Sequence, residues 1–392
     1  MLHWVRRAVV LLVPACFHPS YDHPACGPSD ACPSGWHCVQ GFCELPGSGG
    51  GGDDAGVDGP GTASFCLGDA TLTACLAQMP AAPLAINRPT AIDTDTAGDC
   101  SPDAVGSSAA YCILAGSSIT IMGGQTLSAH GSRPLVLMAS STILVLGAID
   151  VAGHVMGMPQ ATGPGVPPAG SSLCAPAIPA SNAGGGSGGS FGSIGGAGGA
   201  DAGGNPGGVP SGPVVPTTLR GGCSGQAGLN GGGAAGSGVG AVALLAVTTI
   251  QIDGVINASG GGGGGSMNNT RGGGGGGAGG MIVIDAPTVT GAGGARIFAN
   301  GGGGGEGNAG LNGQNGNDAP LDPNLAAAGG AGGSTGGDGG SGANKDAQGG
   351  HAAGAGGVGT SAAGGGGGGG GVGAIKLYKA APLPGIVSPP PT

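Results

Sequence analysis

The stretch Leu135-Val-Leu-Met-Ala139-Ser-Ser-Thr142-Ile143-Leu-Val145-Leu-Gly147-Ala-Ile149-Asp150-Val-Ala-Gly153 returns without a gap at 242–260. Ala139, Thr142, Ile143, Gly147, Ile149 and Gly153 reappear as Ala246, Thr249, Ile250, Gly254, Ile256 and Gly260. Each copy reads as two short strands of period two and a weaker third, divided by small residues, with Val242, Leu244, Ile250, Ile252 and Ile256 facing inwards in the second copy. Tyr111-Cys-Ile-Leu-Ala115-Gly-Ser-Ser-Ile119-Thr-Ile121-Met-Gly123 matches the first copy at a displacement of 24, which sets Ala115 on Ala139. A looser copy begins at Met281-Ile-Val-Ile284-Asp-Ala286 and ends at Ile297-Phe-Ala299-Asn-Gly301. Half a copy follows at Ala374-Ile375-Lys376-Leu377-Tyr378. Several short strands in a repeat of this length mark a β-solenoid. The aliphatic residues of one copy do not offset the cost of ordering its backbone, so copies must stack. The expectation is an all-β chain with a right-handed parallel β-helix over 109–380, and Ala139, Ala246 and Ala286 aligned at one turn.

The copies begin near 111, 135, 242, 282 and 375. Against a coil of 24, the gaps of 107, 40 and 93 leave insertions of about 83, 16 and 69 residues, all starting after one position of the coil: Gly153, Gly260 and Gly301. They should leave from one corner. They hold the glycine runs at 260–265, 272–277, 301–305 and 364–371. Such arms have two readings. They are disordered, as their ordering entropy favours, or they lie side by side as extended threefold helices bonded through backbone alone.

Composition fits blocks of β-structure between glycine excursions. Glycine supplies 101 and proline 30 of the 392 residues, a share that by itself suggests low complexity. Yet only 8% of residues are charged and 39% are hydrophobic, unlike a charge-expanded disordered chain. The net charge is −10 and the basic residues are scattered, so nucleic acid is not an expected partner.

The chain opens with Arg6-Arg7, the apolar run 8–13 and Pro14-Ala15-Cys16. This reads as a signal peptide over 1–15, too short to span a bilayer. Val13-Pro14-Ala15-Cys16 resembles the lipobox of bacterial lipoproteins, departing from it at Pro14. The resemblance implies lipidation of Cys16 and a membrane anchor, with ordinary secretion as the alternative. Phe17 in place of aspartate points to the outer membrane or cell surface. Ten cysteines remain, in even groups: Cys26, Cys32, Cys38 and Cys43; Cys66, Cys75, Cys100 and Cys112; Cys174 and Cys223. In an oxidising compartment they make five disulfides. Cys174 and Cys223 would clip the first insertion into a loop, while the second group leaves three connectivities open.

Residues 16–46 are too few for a core and need crosslinks. Their spacing resembles small, loosely EGF-like knobs, which implies the pairs Cys26–Cys38 and Cys32–Cys43; a zinc site using His37 is the rival. A Gly/Asp linker follows over 47–64, then a disulfide-bonded cap over 65–108, and a Pro-rich tail closes the chain over 381–392. The whole layout resembles myxobacterial-type glycine-rich surface lipoproteins. That resemblance implies an envelope location and a β-helix and carries no catalytic residues; the glycine runs alone also resemble glycine-rich domains of some animal receptors and phage adhesins.

Candidates for chemistry are sparse. Asp150, Asp253 and Asp285, with Arg296, are the only acids and base that neighbouring coils could gather on an edge. Asp93-Thr-Asp95-Thr-Ala-Gly98-Asp99 begins like a calcium loop, but Ala97 and Ala104 stand where ligands belong. The histidines lack ligand spacing, and neither a phosphate loop nor a nucleophile elbow occurs. The expected function is a non-enzymatic envelope protein with a structural or adhesive role and without a cofactor. Its partners would be the membrane and surface polysaccharide or other envelope proteins. The alternative is a carbohydrate-active or carbohydrate-binding β-helix.

Overall fold

The computed structural model describes residues 37–39, 42–44, 64–69, 72–155, 162–167, 171, 173–174, 177–229, 231–267, 271–333, 335–346, 349–350, 363–379 and 382–392. They fall into two units, Met1–Gly61 and Thr62–Thr392. In the first unit, β1 (His37–Val39) and β2 (Phe42–Glu44) pair antiparallel with Cys38 opposite Cys43. Cys16, Cys26 and Cys32 lie outside the described residues, as do the side chains of His37, Cys38 and Cys43, and with them the lipidation, the knob pairings and the zinc reading.

The second unit is all-β; a single 3-10 turn at Gly106–Ala110 is the only helical element among its described residues. It opens with an antiparallel pair, β3 (Phe65–Asp69) and β4 (Leu72–Leu76), crossed by a Cys66–Cys75 disulfide. The next strands are β5 (Leu84–Ile86), β6 (Thr90–Asp93), β7 (Cys112–Ile121), β8 (Thr126–His130), β9 (Leu135–Val145) and β10 (Ala148–Asp150). After the first insertion come β11 (Ala241–Ala246), β12 (Thr249–Ile252) and β13 (Val255–Asn257), then β14 (Met281–Asp285), β15 (Thr288–Gly291) and β16 (Arg296–Phe298). The last are β17 (Ala374–Tyr378) and β18 (Ile386–Ser388). From β5 onward every strand pairing is parallel.

The strands form three parallel stretches. One runs β7-β9-β11-β14-β17 and another β5-β7-β9-β12-β15, the long β7 and β9 belonging to both. The third is the separate sheet β6-β8-β10-β13-β16-β18. The chain visits these stretches in the same order in successive copies. The five residues expected inside, Val242, Leu244, Ile250, Ile252 and Ile256, share one fully buried cluster with Leu135, Leu137, Ile143 and Ile149. Ala139 pairs with Ala246, and Ala286 follows Asp285, the partner of Leu245; all three alanines join that cluster. The other face of β9, β11 and β14 is also buried, under β4, Phe191 and Leu219. Coverage on both faces explains why these strands read as near-continuous apolar runs.

Two repeat assignments need correction. The displacement of 24 holds only from Ser118 onward, where Ile119 pairs with Ile143 and Ile121 with Val145. Before it, Gly116 rather than Ala115 opposes Ala139, because a bulge between Gly116 and Ser118 absorbs one residue. The last copy is more than a half: β18, in the segment read as a tail, pairs with β16 and continues the third stretch.

The glycine arms are packed. Segment 272–280 has no strand partner, yet its backbone is bonded on six sides. Gly273, Gly276 and Gly279 donate to Gly365, Gly368 and Gly371; Gly274, Gly277 and Gly280 donate to Gly264, Gly261 and Ala258; Gly275 and Ala278 donate to Gln226 and Cys223. Its carbonyls accept from Gly233 and Gly236, from Gly186 and Gly189, and from Gly305 and Gly302. These bonds measure 2.7–3.0 Å. Each neighbour is met at every third residue, the period of an extended threefold helix, which makes no internal hydrogen bonds. Three donor directions and three acceptor directions give a hexagonal lattice of rods in which backbone polar groups find partners. The arms leave next to one another, as expected: Gly153 donates to Ser259 O and Gly260 to Asn300 O. Cys174–Cys223 closes the first arm, and Cys100–Cys112 ties the cap to β7.

Candidate functional site

The acids singled out from sequence are not gathered on one edge. Asp150 lies on β10 and pairs with Asn257; it does not neighbour Asp253, which sits in the turn after β12. Asp253 accepts from Gln251 Nε2 and from the backbone of Ala292, at 2.7 Å each. Asp285 ends β14, in a different stretch. Arg296 is exposed and donates to Leu321 O. The calcium-like loop spends its oxygens on backbone and hydroxyl donors: Asp93 accepts from Asp95 N and Thr96 Oγ1, Asp99 from Asp93 N, and Asp95 from Ser132 N. The bonds from Asp95 and Thr96 hold the Asp93 carboxyl below its usual range.

What the fold does gather is a set of acids and amides that close the glycine lattice at its margins. Rod 258–266 donates to backbone carbonyls through most of its amides, but Gly262 and Gly265, both buried, do not. They donate instead to Asp318 Oδ1 and Asn315 Oδ1, at 2.9 and 2.8 Å. Asn315 and Asp318 are three residues apart and so match the rod period. Glu306, fully buried, accepts from Gln314 N and Gly333 N, and Asp201 accepts from Ala183 N and Asn205 N. A side-chain oxygen thus stands where no neighbouring rod supplies a carbonyl.

Asp318 also forms a clasp. His154 Nδ1 lies 3.5 Å from Asp318 and its Nε2 3.5 Å from Asp150, so one ring joins the end of the third stretch to an arm 164 residues further on. Hydrogen bonding to Asp150, then to Asp318, pushes the imidazole up to about 10. The two carboxylates meet opposite ring nitrogens, an arrangement of an ion-paired bridge. No group of three or more potential ligands able to hold a metal occurs among the described residues. Asp150 and His154 stand four residues apart, a local signal, but Asp318 lies 164 residues beyond His154 and no spacing in the sequence links it to them.

Two further features stand apart from the lattice margin. Arg220 is buried and stacks on Phe191, 4.8 Å from the ring centroid. A groove of about 560 Å³ runs between 214–216, the end of β17 and 389–392. There Lys376 Nζ donates to Pro216 O and Thr392 N to Ile375 O.

Comparison with protein-family models, with curated proteins and with solved structures finds no match for this chain.

Proposed function

We propose that the chain is a non-enzymatic, lipid-anchored envelope protein with a structural or adhesive role. Its body is a right-handed parallel β-helix fused at one corner to a lattice of glycine rods. The repeated order in which the strands visit three parallel stretches supports the coil. Three disulfides in the second unit suit an oxidising compartment. Among the described residues no helix is long and apolar enough to cross a membrane; the anchor proposed is lipid on Cys16, at the end of the lipobox-like Val13-Pro14-Ala15-Cys16. The observation that carries the reading is the lattice: it uses Asp201, Glu306 and Asp318 in closing its own margins and stiffens three insertions. Such a body suits display or spacing at a surface, towards polysaccharide or other envelope proteins.

Mass spectrometry of the mature N-terminal peptide tests the anchor. A diacylated Cys16 is expected, and Cys16→Ser should release the protein from membranes. A free Cys16 thiol, or a disulfide to it, would sink the lipoprotein reading.

A further inference from the structure

One row of the buried sheet breaks its own pattern. Across the first stretch, Ala115 pairs with Met138, Met138 with Leu245, Leu245 with Asp285, and Asp285 with Tyr378. Successive coils therefore place alanine, methionine, leucine, aspartate and tyrosine side by side, on the face covered by the β3–β4 pair. Asp285 is 5% exposed, and its Oδ1 has no hydrogen-bond partner among the described residues. Its Oδ2 meets Lys379 Nζ at 3.3 Å. Burying a carboxylate with half its acceptor capacity idle is costly. The partner is held at a cost too: Lys379 has φ +63°, a left-handed conformation that side chains disfavour. Departures of this kind from local rules concentrate at functional sites.

Asp285 and Lys379 line a pocket of about 210 Å³ whose other walls include Leu67, Ala246, Val247 and Pro287. An anionic ligand would meet Asp285, and a cationic one would meet Lys379. A neutral ligand with adjacent hydroxyls suits both: one donates to the Asp285 carboxylate, a neighbour accepts from Nζ, and carbon faces lie on the apolar walls. The volume suits a single ring. We propose that this pocket binds a neutral sugar residue. The proposal rests on the envelope reading only for access to surface polysaccharide; the purified chain tests it independently of anchoring.

The experiment uses the full mature chain and methyl glycosides of glucose, galactose and mannose, followed by saturation-transfer NMR and titration. Acetate and methylammonium serve as charged comparators. At least one glycoside should bind in preference to both ions. Asp285→Leu, which repeats Leu245 of the preceding coil, should melt no lower than wild type yet weaken that binding by about tenfold or more. Lys379→Met, at an exposed position, should weaken it several-fold and covers the case in which Asp285→Leu does not fold. The proposal is overturned if no glycoside binds the wild type, if acetate or methylammonium binds in their place, or if binding survives in a folded Asp285→Leu or in Lys379→Met. None of those results would touch the lipid anchor or the lattice.

Discussion

Gly275 has no room for a methyl group. A Cβ built there falls on Ser187 O, and one at Gly367 falls on Gly274 O, both far inside van der Waals contact. The obstacle is backbone, which cannot swing aside as a side chain would. Gly275→Val and Gly367→Val should each lower the melting temperature by several degrees and open the arms to protease, an effect of about 1–3 kcal/mol or more. Gly212→Ala is the control: nothing lies within 4 Å of its Cβ, and its melting temperature should stay level or rise slightly. Unchanged melting in both valine variants would restore the flexible-arm reading. His154 carries a pH dependence at the same scale. Its folded pKa, about 10, lies above the unfolded 6.5. The clasp therefore contributes fully below pH 6.5, and its contribution is lost as pH rises through 10. The ring is 40% exposed, so the effect is modest. Wild type should lose more stability between pH 7 and 10 than His154→Gln; parallel pH profiles would discount the clasp.

At the scale of strands and rods, the core of the parallel sheets is built from aliphatic positions that repeat between copies. Ile250 is fully buried and pairs with Ile143 and Val289. Ile250→Ala should cost about 2–5 kcal/mol, read from chemical denaturation. An equal substitution at Val247, 40% exposed, should cost far less. The period-two pattern located these strands closely, because burial on an inward face repeats the same chemistry every second residue. It erred at Gly116, where a bulge shifts register without altering the apolar pattern of either flank. It also stopped short of β18, since Ile386-Val-Ser388 is too brief to stand out from a proline-rich segment. The edge strand β17 carries Lys376 and is bordered by Pro389, Pro390, Pro391 and Thr392, features that blunt pairing with other chains.

For the whole molecule, the largest question is how three insertions become one body. The Cys174–Cys223 bridge spans 49 residues and contributes about 4 kcal/mol in the chain-entropy picture. Replacing both cysteines by alanine should remove about 2–4 kcal/mol, with the loss concentrated in the first arm. Hydrogen exchange checks this. Amides of Gly186 and Gly189, which bond to rod 272–280, should lose protection, while Ile143 in β9 and Ile250 in β12 should keep theirs. Loss of protection throughout would mean that sheets and lattice unfold as one unit.

Inward alternation, the recurring turn glycines Gly147 and Gly254, the common exit of the insertions and the even cysteine groups were all legible along the chain. Each depends on chemistry repeated at short or regular intervals. The state of the glycine arms was not legible, because a run such as 272–277 has the same composition whether it is solvated or packed. Only the crossing of arms far apart in sequence, such as 186–189 with 368–371, supplies their backbone amides with carbonyls. The same holds for Asp318 beside His154, and for Asp285 beside Lys379: side chains from distant segments meet where the strands and rods bring them. Close approach of backbones requires glycine, but glycine does not specify which backbone approaches; that pairing is decided by the stacking of the parallel strands from which the arms emerge.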